Sequence, residues 1–181
     1  PEAKSANERT IEGFAKIGCS VCLPHQSTTD ALVDRVGRRI RDMDVYAAAI
    51  RRFGMIPGLS THMPEVPVYA DESGLDVGTY IQIYNADGFL MQIEVDWVHR
   101  IIWKAAKPVI TIKPMAAGRM HPLVGMAFNW ATIRPQDMVC VGTFTPDEAR
   151  ELIEISLSIL ERRDANLELQ RTRSKASVER K

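Results

Sequence analysis

The stretch at residues 137–160, DMVCVGTFTPDEARELIEISLSIL, decides the fold, because a short apolar run, a tight polar turn and an amphipathic segment follow one another within it. Met138 to Val141 has the length and composition of a strand buried in a parallel sheet. Thr145 is predicted to cap a helix, with Pro146 at the first helical position and Glu148 three residues further on. The stretch therefore predicts a β-strand followed directly by an α-helix.

The turn within this stretch has two readings. The free N–H groups at the start of the helix point back toward the strand end, where an anion could bind. Capping boxes also begin many ordinary helices, since they satisfy N–H groups that have no intrahelical partner. The turn alone does not distinguish an anion site from plain architecture.

The same strand-to-helix plan recurs along the chain. Strands are predicted at 19–23, 55–59, 79–84, 109–113 and 138–141, and helices at 5–17, 30–53, 95–106, 123–132 and 145–163, with a short helix within 64–74. This alternation predicts a parallel sheet covered by helices, either doubly wound or a (β/α)8 barrel of the TIM-barrel type. No glycine-rich dinucleotide fingerprint follows a strand, and polar residues stand at the strand ends, which favours the barrel. We therefore expect an incomplete barrel of about five βα units.

Composition bounds the class of protein. The chain has 181 residues, of which 45% are hydrophobic and 25% charged, as in a soluble globular domain. Its 23 basic and 23 acidic residues balance, so bulk charge suggests neither a nucleic-acid nor a membrane partner. We predict a partial barrel domain over 1–163 and a polar, disordered tail over 164–181.

Targeting signals and cysteines point to the cytoplasm. No long apolar run and no signal peptide are visible, and the first residue is Pro1, so we expect the true N-terminus to lie upstream. Cys19 and Cys22 have a spacing known from zinc sites, but the second pair that such sites need is missing. Together with Cys140 they are predicted to be free thiols in a reducing compartment, and no metal site is expected.

Strand parity predicts which polar side chains converge. If Ile81 and Ile83 face the helices, alternate residues of the predicted strands face the barrel interior: Tyr80, Gln82, Tyr84, Thr111 and Lys113. Ser60 and His62 share one side of their segment. Ser60, Gln82 and Lys113 are therefore expected to meet at one rim. An inward lysine indicates chemistry, because a buried ammonium without a partner is costly.

Five phrases of the sequence occur in a familiar order: VCLPHQ at 21–26, IPGLSTHMPE at 56–65, YIQIYN at 80–85, ITIKPMAAGR at 110–119 and VGTFTPDEAREL at 141–152. In this order and spacing the chain resembles the C-terminal part, strands four to eight, of the aldo-keto reductases. The resemblance covers most of residues 5–163. It implies a (β/α)8-barrel oxidoreductase that binds NADP, or NAD, and reduces a small-molecule carbonyl substrate.

The resemblance also implies roles for particular residues. His25 would orient the substrate carbonyl, Ser60 and Gln82 would hold the nicotinamide amide, and Gly142 and Thr143 would approach the nucleotide phosphates. At the position where the family stacks an aromatic ring on the nicotinamide, this chain has Ile112. The family's catalytic tyrosine, lysine and aspartate belong to strands one to three, so the chain is expected to be a fragment that lacks them.

Two other functions stay open. The barrel could be a lyase or aldolase in which Lys113 forms a Schiff base with a ketone and His25 or Tyr84 moves protons. It could also be a non-catalytic barrel that binds a ligand or a partner protein. The apolar strands at 19–23 and 138–141 would leave both sheet edges open, so we expect an oligomer formed through these edges.

Overall fold

The computed structural model describes residues 2–167 of the chain. Contacts divide the chain after Gly142 into two compact units, which are described separately. In chain order the elements are α1 (Glu2–Lys16), β1 (Val21–Cys22), α2 (Gln26–Ala31), β2 (Val33–Asp34), β3 (Arg39–Ile40), α3 (Met43–Arg52), β4 (Ile56–Thr61), α4 (Glu65–Glu72), β5 (Thr79–Ile83), α5 (Val95–Lys104), β6 (Val109–Ile112), α6 (Pro122–Thr132), β7 (Met138–Cys140) and α7 (Pro146–Glu161). None of the helices within this range is long and apolar enough to cross a membrane.

The first unit is built on a five-stranded sheet in the order β1-β4-β5-β6-β7. All of its neighbouring strands are parallel. A helix follows each of β1, β4, β5 and β6 within this unit. The sheet is curled into a half-barrel, which confirms the predicted fold class of an incomplete TIM-type barrel.

The main core lies between this sheet and its helices. Leu59 of β4, Tyr80 of β5 and Val66 of α4 are fully buried in one cluster, together with Val98 and Ile102 of α5. Burial of such large side chains supplies most of the driving force for folding. The contacts on the helix-facing side of the sheet therefore stabilise it.

The predicted direction of the β5 side chains was wrong. The Tyr80 hydroxyl donates to Asp71 of α4 at 2.6 Å. The Tyr84 hydroxyl lies 3.2 Å from Nδ1 of His99 in α5, so both tyrosines face the helices rather than the interior. Both faces of a parallel barrel strand are covered, and alternating isoleucines therefore do not identify the outer face. The two tyrosine rings pack between the sheet and the helices, where residues of the helices form hydrogen bonds with the tyrosine hydroxyls.

The helix predicted over 30–53 was also wrong, because an antiparallel hairpin of β2 and β3 interrupts it. The Asp34 carboxylate accepts a bond from the Gly37 N–H at 2.8 Å, which stabilises the turn. Arg38 has a left-handed φ of 48°. Val36, which helical periodicity placed on the apolar face, is 98% exposed. The local turn chemistry overrides the apolar period here.

A buried ion pair closes the amino end of the sheet. Asp137 accepts bonds from the Val109 N–H at 2.8 Å and from the Arg134 backbone N–H at 2.9 Å. The Arg134 guanidinium also donates to the carbonyls of Ala105, at 2.6 Å, and Lys107, at 2.8 Å. The pair therefore ties the start of β6 to the start of β7.

The second unit contains α7, whose predicted cap is confirmed. The Thr145 hydroxyl accepts a bond from the Glu148 N–H at 3.2 Å. The Glu148 carboxylate in turn accepts one from the Phe144 N–H at 2.7 Å. Residues 164–167 are irregular. The rest of the predicted tail lies outside the described residues, and the predicted domain boundary at 163 stays a prediction.

Candidate active site at the carboxyl ends of the strands

Polar residues follow three strands of the sheet at one edge. His25 comes after β1, His62 after β4 and Lys113 after β6. Because these strands are parallel, their carboxyl ends lie on the same side of the sheet, which is where barrel enzymes bind their substrates. We call His25, Asp30, His62 and Lys113 the rim cluster.

Asp30 of α2 holds the end of β4 in place. Its carboxylate accepts a bond from the buried Thr61 hydroxyl and another from the His62 N–H at 3.3 Å. Thr61 also accepts from the Met63 N–H at 2.9 Å, which turns the chain as it leaves the strand. Both oxygens of the only carboxylate in the rim cluster are therefore engaged.

His62 is half-buried, and its surroundings lower the pKa of its imidazole. Burial is the largest cause, and the charge of Lys113 is the second. Asp30 acts in the opposite direction, while His25 adds to the lowering. The lowered pKa favours the neutral imidazole, which can donate or accept a hydrogen bond.

Lys113 occupies a left-handed backbone conformation with φ of 59°. Such a conformation is uncommon for a residue other than glycine, and the surrounding packing must hold it. The Lys113 carbonyl accepts from the Ala116 N–H at 2.9 Å. Gly125 of α6 lies so close that an added Cβ would stand 2.6 Å from the Pro114 carbonyl oxygen. Lys113 is half-buried as a residue, and within residues 2–167 its ammonium makes no ion pair.

His25 also serves as the cap of α2. Its Nδ1 accepts from the Ser27 N–H at 3.2 Å and lies 2.8 Å from the Ser27 hydroxyl. An accepting Nδ1 leaves the ring proton on Nε2. His25 can therefore present an N–H donor to a ligand while its other nitrogen stabilises the helix.

A cleft of about 530 Å³ has His25, one residue of the rim cluster, in its wall. Polar side chains in its wall include His25 and Ser60, and apolar ones include Phe14, Leu23 and Ile81. A volume of this order suits a small organic molecule. The cleft therefore offers an apolar wall next to a few polar groups.

Ser60 and Gln82 do not meet. Ser60 pairs in register with Ile81, whereas Gln82 pairs with Thr61 and Thr111, so the two lie on opposite faces of the sheet. Gln82 is fully buried, and neither its amide nitrogen nor its amide oxygen has a hydrogen-bond partner. The expectation that Gln82 faces the interior with Ser60 and Lys113 was wrong. Thr111, which was expected to face inward too, shares the face of Gln82.

Gly142 and Thr143 are both exposed. A Cβ added at Gly142 would meet nothing within 4 Å. Their predicted approach to phosphate stays a prediction. Among the described residues, no group of three or more histidine, cysteine or acidic side chains could hold a metal ion.

The titration of His62 provides a test of the rim geometry. Nuclear magnetic resonance titration should place the midpoint of His62 below its ordinary value of 6.5. Replacing Lys113 with methionine removes a nearby positive charge and should move that midpoint upward. The unfolded chain binds more protons than the folded one in this range, so acidification below pH 6.5 should lower stability. A midpoint at or above the ordinary value would contradict this arrangement.

Asp30 was not predicted as a site residue, and His62 was named for its position beside Ser60. The helix predicted over 30–53 placed Asp30 on a solvated face. The Thr-His pair that ends β4 was the available signal, since polar residues at a strand end mark the active edge of a barrel.

The architecture and the position of the rim cluster define the class of this protein as a partial (β/α)8 barrel with a polar carboxyl edge. Its fold is similar to that of PA4992, a proposed aldo-keto reductase from Pseudomonas aeruginosa, with a TM-score of 0.61 and 16% identity over 85% of this chain and 57% of that one. A second structure, also a proposed aldo-keto reductase from Pseudomonas aeruginosa, gives a TM-score of 0.59 and 18% identity over 85% and 59%.

The chain spans less than three fifths of the length of these two solved structures. The similarity shows that the predicted resemblance holds at the level of the fold. No family model matches the sequence. A search of curated proteins finds no match either.

Proposed function

We propose that this chain is part of an aldo-keto-reductase-like oxidoreductase that binds a nicotinamide nucleotide and acts on a small carbonyl compound. The observation that carries the proposal is the rim cluster, a set of hydrogen-bond donors at the carboxyl edge of a half-barrel with this fold. Fold alone does not fix function, so the proposal rests on the chemistry of these side chains.

The residues fit the cofactor in part. The Ser60 hydroxyl is half-buried, lies in the wall of the cleft and can hydrogen-bond a nicotinamide carboxamide. The sealed Gln82 amide does not fit that role, because it lies on the opposite face of the sheet. Gly142 has open space around it, as a backbone that approaches phosphate requires. When bound, the cofactor supplies the hydride.

The side chains of this chain then bind and orient the carbonyl compound. His25 Nε2–H donates to the carbonyl oxygen, which develops negative charge as the carbonyl is reduced. His62 holds a second hydrogen bond at the same edge, and Asp30 keeps it in place. The apolar wall of the cleft excludes water from the reacting group.

Fluorescence titration with NADPH tests the cofactor assignment. Replacing Ser60 with alanine should weaken binding about fivefold, the effect of one lost hydrogen bond. The same change at the exposed Ser20, just before β1, is the matched control and should leave the affinity unchanged. If both variants bound NADPH with the affinity of the unmodified chain, Ser60 would not be part of the cofactor site.

Gly142→Val tests the phosphate turn in the same titration. A branched side chain obstructs the backbone where phosphate would approach, so affinity should fall. Unchanged affinity would place the phosphates elsewhere. Because Gly142 has open surroundings, the substitution should leave stability unaltered.

A second candidate function is Schiff-base chemistry at Lys113, a half-buried residue at the end of β6 whose charge acts on the His62 imidazole. Tyr84 no longer serves as the proton carrier, because burial against the helices raises the pKa of its hydroxyl. Borohydride with a small ketone should trap a covalent adduct at Lys113 if this function is correct. Failure to trap it with several ketones would reject this candidate.

A further inference from the structure

Helix α1 forms one wall of the 530 Å³ cleft. It contributes residues spaced three and four apart, which lie on one face of the helix: Asn7, Thr10, Ile11 and Phe14. Ser60 of β4 and Ile81 of β5 line the cleft from the sheet. The cleft therefore lies between α1 and one face of the sheet, and the rim cluster contains no residue of this helix.

Apolar packing holds α1 beside α3. Ile11 is buried in a small cluster with Ile50 of α3 and Met55. The Glu8 carboxylate also accepts a bond from the Arg52 guanidinium at 2.9 Å. This ion pair is largely exposed to water, so it contributes little to the stability of the contact. The packing of Ile11 therefore sets the position of the wall that α1 presents to the cleft.

The wall of the cleft carries no fixed charge. None of the described residues that line it is an aspartate, a glutamate, a lysine or an arginine. Its apolar part includes the aromatic rings of Phe14 and Tyr46 and the side chains of Leu23, Ile50 and Ile81. A charged group that leaves water for such surroundings loses its hydration and gains no counter-charge. The cleft therefore favours an uncharged ligand.

Two polar side chains stand together in this wall. The Thr28 N–H donates to the His25 carbonyl at 2.9 Å, so the two residues are adjacent in the first turn of α2. Within the described part of the chain, the half-buried Thr28 hydroxyl has no hydrogen-bond partner. That hydroxyl can both donate and accept, and the His25 ring can donate through Nε2. A few such groups in a largely apolar wall are what orient a small molecule in a binding site.

We propose that the cleft between α1 and the sheet binds an uncharged aromatic molecule with a carbonyl or hydroxyl group, and that Phe14 of α1 selects it. The ring of the ligand packs against Phe14 and Tyr46, because aromatic rings contact one another favourably. Its oxygen forms hydrogen bonds with Thr28 and His25. One step rests on the proposed function, namely that this ligand is also the carbonyl compound that is reduced.

Isothermal titration calorimetry with 2-naphthalenemethanol and 2-naphthoate tests the site without any cofactor. The two molecules share one ring system, and only the second is charged. The titrations are made at pH 8, where imidazoles are ordinarily neutral. The alcohol should bind, and the naphthoate should bind more weakly by about tenfold or more, because the wall offers its charge no partner. Equal or tighter binding of the naphthoate would overturn the proposal.

Phe14→Ala should weaken binding of the alcohol roughly tenfold, through the loss of an aromatic contact and of apolar area. Alanine is a good helix former, so α1 should persist, and circular dichroism checks this. The matched control is Phe144→Ala, because Phe144 is 99% exposed and does not line the cleft. The control should bind the alcohol with unchanged affinity. The selection by α1 is wrong if Phe14→Ala binds as tightly as the control.

Thr28→Lys reverses the chemistry of the wall. A positive charge placed there should raise the affinity for 2-naphthoate about tenfold, and it should not raise that for the alcohol. A naphthoate affinity that stays the same in the folded variant would show that the charge of the wall does not govern selection. The comparison of the two ligands on the unmodified chain stands whether or not this variant folds.

Titration with NADPH separates this inference from the proposed function. If the alcohol binds as expected and NADPH does not bind, the cleft site stands and the proposed oxidoreductase function fails. If NADPH binds and the alcohol does not, the assignment of the cleft fails while the cofactor assignment stands.

Discussion

Replacing Asp137 with alanine is expected to lower the free energy of unfolding by about 3–5 kcal/mol, the typical effect of removing one partner of a buried ion pair. The Asp137 side chain is fully buried and that of Arg134 is 8% exposed. Without the carboxylate, the guanidinium stays buried with no counter-charge, and the Val109 N–H loses its acceptor. Urea unfolding followed by circular dichroism measures the loss.

Asp76→Ala is the matched control for this prediction. Asp76 makes a two-bond ion pair with Arg51, but water surrounds both groups and screens their attraction. Its loss of stability should be much smaller than that of Asp137→Ala. Similar losses for the two variants would show that the Arg134 pair does not hold the start of β6.

Gly125→Ala is expected to destabilise the fold by about 1–3 kcal/mol, the usual effect of forcing an extra group into a packed site. The new Cβ would stand 2.6 Å from the Pro114 carbonyl oxygen and 3.3 Å from the Met115 Cα. These are backbone atoms that cannot rotate away, so the loop after β6 must move. Lys113, which directly precedes Pro114, would move with it.

Gly13→Ala in α1 separates this clash from the general effect of substituting a helical glycine. A Cβ at Gly13 would meet nothing within 4 Å, and alanine is the better helix former. This variant should be more stable than the unmodified chain by about 0.5–1 kcal/mol. If Gly125→Ala were also stabilising, the close packing of α6 on the loop would be incorrect.

The order of the elements could be predicted from the sequence because most strands end at glycine, proline or a polar pair. The helix α7 illustrates this, since Thr145, Pro146 and Glu148 are neighbours in the chain and their bonds are local. The interruption of the 30–53 segment was missed, although the bond from the Gly37 N–H to Asp34 is local too. The spacing of the apolar residues Val33, Val36 and Ile40 matches helical periodicity, which led to the wrong prediction.

The site depended on information that strand parity does not contain. Asp71 and His99 determine which face of β5 meets the helices. They belong to other elements and form hydrogen bonds with the hydroxyls of the two tyrosines. Asp30 reaches Thr61 across 31 positions of sequence, so no local pattern could pair them. Lys113 was predicted at the rim from strand parity; it directly follows β6, and its role in the site stays a prediction.

The short pairing of β1 with β4 determines where the rim cluster can open locally. β1 joins the sheet through only two residue pairs, Val21 with Ile56 and Cys22 with Pro57, and proline has no N–H to donate. Within the described sheet, β5 by contrast has a bonded strand on each side. Local opening therefore begins most easily at β1, at a small fraction of the free energy of global unfolding. Since His25 follows that strand directly, a ligand that engages His25 would also order the edge of the sheet, and part of its binding energy would be spent on doing so.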